Sequence, residues 1–81
     1  MKHANPIVLG ANGSSKFDGG CFCRFACTVS GTLTVTDING ATLLNAIPVT
    51  AGEVPEFYMY VQGRQGTITL AGGAAGTALV S

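Results

Sequence analysis

Three observations predict an all-β fold. Twelve glycines cut the chain into short segments. Between the cuts Val, Ile, Thr, Phe and Tyr dominate, residues that suit a pleated surface. Nowhere do apolar residues recur at helical spacing over three turns, and glycine is too frequent for a stable helix interior. Segments of this length fit a small antiparallel β-sandwich or barrel of six or seven short strands. The 81 residues support one domain, and a domain of this size buries only roughly 60 % of the surface of its unfolded chain. The organisation expected is an amino-terminal arm and glycine-rich loop over residues 1–20, followed by a single β domain over 21–81.

The elements follow in order. "PIVL", residues 6–9, reads as an edge strand or arm, since proline cannot donate to a ladder but can open a strand. Residues 10–20, "GANGSSKFDGG", read as a polar, mobile loop. The "NGS" at Asn12 fits a glycosylation pattern, but the absence of a secretory leader makes a polar loop the expected reading. "CFCRFACTV" can be read by parity, because side chains of a strand alternate between faces. Cys21, Cys23, Phe25, Cys27 and Val29 then share a wholly apolar side, and Phe22, Arg24, Ala26, Thr28 and Ser30 the other. Core filling is the expected role of the three cysteines, since a thiol is among the most buried side chains. Three alternatives stay open: a zinc site with His3 as a further ligand, against which the spacing is non-standard, a disulfide, which is strained between neighbours on one strand face, and a thiol with a role in assembly.

"TLTVTDINGATLL" reads as a hairpin closed by a two-residue turn at Asn39-Gly40, with Leu33 and Val35 inward and the threonines of 32, 34 and 36 outward. Asp37 and Asn39 superficially suggest a calcium loop, but the distal Glu of such a loop is missing, which favours the turn. A strand piece spans 46–49, where Pro48 marks an edge or a bend. In "EFYMYVQ", Phe57, Met59 and Val61 face the core, and Glu56, Tyr58, Tyr60 and Gln62 face outward. A turn at 63–66 leads to "TITLA", with Ile68 and Leu70 inward. "GGAAG" reads as a loop, and "TALV", 77–80, as a short last strand.

Charged residues make up 10 % of the chain and cancel to zero net charge, against about 25 % in an ordinary soluble domain. Four scattered Lys and Arg residues cannot make the clustered basic surface that nucleic acid requires. No run approaches the roughly 18 apolar residues of a membrane helix. A catalytic constellation lacks material: His3 is the sole histidine, Glu53 and Glu56 flank a proline as a solvated rim, and no base faces the cysteines. "GGAAGT" has neither the lysine nor the helix of a phosphate loop. The reading is therefore of a non-enzymatic protein without cofactor, whose surplus apolar surface faces other chains. Tyr58 and Tyr60, with Ile7, Val8 and Leu9 of the arm, are the candidate interface, since tyrosine offers large amphipathic contact area.

Over residues 31–81, "TLTVTDINGATLL", "PVTAG" (48–52) and "GGAAGTALVS" resemble small β-rich virion proteins of tailed bacteriophages. The resemblance implies a capsid decoration or cement protein, made in the host cytoplasm and held in the virion. Such proteins are often trimeric and sit on the shell, so the implied partners are further copies of the chain and the major capsid protein. The other implied role is a tail or fibre component that meets the host surface through Tyr58, Tyr60 and the glycine-rich tips.

Overall fold

A computed structural model describes residues 5–18, 21–61 and 65–80. His3, Gln62 and the first part of the 63–66 turn lie outside the described residues. Those described form eight strands: β1 (Asn5–Leu9), β2 (Ser14–Asp18), β3 (Cys21–Val29), β4 (Gly31–Asp37), β5 (Thr42–Val49), β6 (Glu56–Tyr60), β7 (Gln65–Ala71) and β8 (Ala75–Val80). They make two four-stranded sheets, ordered β1-β8-β3-β6 and β2-β7-β4-β5, with antiparallel pairing throughout. Only the β4–β5 connection stays within one sheet; every other connection crosses between the two. This strand order is that of a jelly roll, in which eight strands form two Greek keys.

The expected count of six or seven strands is too low, and the error lies in residues 10–20. This segment carries β2, which pairs with β7 over five positions. Its signal is weak because an edge strand needs to bury little, and here Phe17 alone is buried, at 4 % exposure. β1 likewise pairs along its whole length with β8. The strands of residues 5–9 and 14–18, expected in an arm and loop, thus pair into the two sheets. Leu9, expected at an interface, is a core residue at 5 % exposure. Ile7 packs partly against the core, and Val8 is 80 % exposed. The last strand also starts earlier than expected, at Ala75 inside "GGAAG".

One core draws on both sheets. Phe22 and Phe25 of β3, Leu33 and Val35 of β4, and Ile68 and Leu70 of β7 are all at 2 % exposure or less. Phe57 and Met59, expected in the core, are half-buried at its rim, and Val61 is buried. Aromatic contacts link the layers. Phe22 stacks on Phe57 of β6 at 5.2 Å between ring centroids, and meets Phe17 of the opposite sheet at 6.3 Å, within the range of favourable ring pairs.

Strict parity fails along β3. Against β8, the register moves from Phe22↔Val80 to Arg24↔Leu79, so Cys23 is an extra residue, a β-bulge. Phe22 and Phe25 then both point inward, and Cys21 and Cys23, expected in the core, are only half-buried. A second shift between Cys27 and Val29 turns Val29 out to 48 % exposure, so it too leaves the expected core. Cys27 alone of the three cysteines is buried, its thiol donating to the Val29 carbonyl at 3.1 Å. Small residues on β8 make room for the neighbouring strand and the rings: a Cβ at Gly76 would run into the Ala26 backbone carbonyl oxygen and lie 2.7 Å from Cζ of Phe25.

The β4–β5 turn has three residues rather than two. Gly40 N–H donates to the Asp37 carbonyl and Asp37 N–H to the Ala41 carbonyl, with Gly40 alone at positive φ (+84°), a type I turn closed by a glycine bulge. Buried Asp37 supplies the reason. Its Oδ1 accepts from the backbone N–H groups of Asn39 and Ala41, both at 2.9 Å, which holds the chain in an Asx-type turn.

The four sheet edges are β1, β6, β2 and β5. β5 carries two register shifts, with Ala46 at φ +48°, and Pro48. β6 carries one shift. β1 contains Pro6, and β2 carries Lys16 and Asp18. Each is a known means of discouraging strand addition.

Phe22→Ala is expected to cost about 3–5 kcal/mol in urea unfolding, and Cys21→Ser less than about 1 kcal/mol; unbroken parity in β3 would reverse the two. Gly76→Ala should cost about 1–3 kcal/mol by overpacking against the Ala26 backbone carbonyl and Phe25, read in the same experiment.

Candidate functional site

The outer face of the first sheet collects most of the chemistry-bearing side chains, and β6 positions them. Its register against β3 runs from Met59↔Phe22 to Glu56↔Arg24, so Phe57 and Tyr58 together oppose one residue, Cys23. Tyr58 takes up the excess with φ +47°, a conformation uncommon for a bulky side chain. The kink keeps Phe57 against the core and leaves Tyr58 53 % exposed.

Arg24 ties this bulge together. Its Nε donates to Tyr58 Oη at 2.9 Å, and a terminal nitrogen pairs with Glu56 Oε2 at 3.0 Å. The guanidinium carbon lies 5.6 Å from the Tyr58 ring centroid, within reach of a cation–π attraction. The Tyr58 hydrogen bond first, and then the charges of Tyr58 and Glu56, push the Arg24 guanidinium above its ordinary value. The Arg24 and Glu56 side chains are 44 % and 54 % exposed, so water and salt screen the pair. It orients Tyr58 more than it stabilises the fold.

Tyr60, opposite Cys21 in the ladder, is 85 % exposed. Beside it the Cys21 and Cys23 sulfurs are 3.6 Å apart. Across the sheet, Val8 and Leu79 continue an apolar surface toward β1, Val8 sitting opposite Thr77 and Pro6 opposite Leu79. Of the candidate interface residues, Tyr58, Tyr60 and Val8 therefore share this face, Ile7 is half-buried and Leu9 is inside. Val29, Val54 and Ile38 are the other large hydrophobics exposed among the described residues.

A concavity of about 290 Å³ opens at one end of the other sheet, lined by Lys16, Phe17, Asp18, Asp37, Ile38, Gln65, Gly66 and Thr67. Of its two carboxylates, Asp37 is engaged with the turn backbone. Glu53, the other carboxylate weighed for acid–base work, sits where its backbone serves the sheet: its carbonyl accepts from Cys27 N–H and its N–H donates to Thr50. Glu56 is committed to Arg24. Among the described residues no group of three or more His, Cys, Asp or Glu converges on a metal-sized site.

Sequence reasoning named Tyr58 and Tyr60 but missed the Arg24–Tyr58–Glu56 cluster. The signal was present in part, since Arg24 was placed on the outward side of β3. What was missing was the cross-strand register, which two bulges displace. Compared with known proteins, the chain matches no family model, no curated protein and no solved structure.

Tyr58→Gly is expected to change the unfolding free energy by no more than about 1 kcal/mol, because relief of the left-handed backbone strain offsets the lost ring contacts. A drop of several kcal/mol in a denaturant titration would show that the Tyr58 ring holds the sheet together.

Proposed function

We propose that the protein is a structural component of a tailed-bacteriophage virion, a decoration or cement protein that reinforces the capsid shell. It acts by self-association, with a trimer favoured, and by contact with the major capsid protein. The role is non-catalytic and needs neither nucleic acid nor membrane. It is fulfilled in the virion, after synthesis in the host cytoplasm.

The observation that carries this reading is the coexistence of a complete core with a bare apolar exterior. Among the described residues, fourteen hydrophobic side chains are buried in one cluster. The total accessible surface, 4482 Å², is about the ~4,500 Å² expected of a compact monomer of this mass. The domain closes on itself, yet Val8, Val29, Ile38, Val54, Tyr58 and Tyr60 remain exposed in a chain with only eight charges. Exposed apolar surface with so little charge around it suits docking onto protein. The tyrosines are the natural anchors, being large and amphipathic. Jelly rolls recur in viral capsid proteins, and also in lectins and cupins, so the fold adds weight only by analogy.

Mixed with purified phage shells, the protein is expected to bind in a fixed ratio per capsomer and to raise the temperature at which the shells rupture. Tyr60→Ser should weaken that binding at least tenfold, about 1.4 kcal/mol, with unfolding unchanged. A chain that stays monomeric at millimolar concentration and ignores shells overturns the proposal, and labelling confined to tails in virion images reassigns it to the tail.

A further inference from the structure

Beyond the virion role, we propose that Cys21 and Cys23 form a two-thiolate site on the outer face of β3 for a borderline-soft divalent cation of the zinc class. The pair is a by-product of the bulge. With Cys23 inserted between Phe22 and Arg24, both thiols leave the core while Cys27 stays in it, and their sulfurs come to rest 3.6 Å apart.

That spacing selects among metals. An ion held at about 2.3 Å from each sulfur would see the two at an angle of about 100°, close to the tetrahedral value of a zinc-type centre. A linear two-coordinate ion would need the sulfurs roughly 4.6 Å apart at the same bond length, which the strand backbone does not offer. Thiolate donors favour the softer cations over magnesium or calcium. Both residues are half-buried, so the ion's remaining positions open outward, beside Tyr60. Among the described residues no third His, Cys, Asp or Glu gathers there, so the described part of the chain supplies two ligands and water fills other positions. Such a site is labile, unlike a closed four-ligand structural centre. Each thiol passes its proton to solvent as it binds, two protons per ion. No electron changes hands.

Cadmium is the probe, because its thiolate complexes absorb in the near ultraviolet. The full chain, kept reduced by a phosphine under nitrogen, is titrated with cadmium chloride and then with zinc in competition. The expected result is a charge-transfer band saturating at one ion per chain and bleached by zinc. In Cys21→Ser, Cys23→Ser and the double variant, all retaining Cys27, the apparent affinity should fall at least tenfold. Their circular dichroism should stay that of the parent, since neither residue is in the core. Three results each overturn the site: absence of the band, a band of equal affinity in the double variant, or saturation at one ion per two chains.

Discussion

The stacking of Phe22 on Phe57, continued to Phe17 across the interior, is the contact around which the rest is arranged. It requires Phe22 to face inward together with Phe25, three residues away, and a regular strand would send one of the two out. The insertion at Cys23 resolves the conflict. One added residue restores both rings to the interior, and the β6 strand answers with its own kink at Tyr58. Interior and exterior are thereby coupled. The displacement that fills the core also sets the sulfurs side by side and swings Tyr58 toward Arg24.

Much of the architecture was legible because most strands obey simple alternation. β4 and β7 keep it throughout, with Leu33, Val35, Ile68 and Leu70 inward, and the glycines marked breaks between elements. What was illegible has physical causes. β2 shows a single large apolar residue, so no period can be read from it. β3 hides its phase because Cys21, Cys23, Phe25, Cys27 and Val29 make a second, equally apolar alternation beside the true one, and only contact with β8 decides between them. The hairpin tip is set by a carboxylate, Asp37, whose preference for capping backbone N–H groups lengthened the turn by one residue. The outward tyrosines could be read from β6 alone, but their partner Arg24 could not, since that pairing depends on two irregular strands meeting.

The division of labour between the sheets follows from these details. The second sheet contributes the regular strands β4 and β7, paired threonines on its outer side and an Asp-capped turn, and it holds the interior closed. Much of the first sheet's outer face is apolar or aromatic, with the Arg24–Glu56 pair beside it. A small domain with its interior already satisfied can present such a face without depending on a partner to fold. In the proposed role that independence matters, because the chain must persist in solution before it reaches a shell.

The borders of the two sheets limit how copies can meet. A strand arriving at β1 finds a missing donor at Pro6, at β2 two opposite charges, at β5 and β6 a backbone bent out of register. Backbone pairing across these borders is disfavoured, which steers crowded chains away from fibrils.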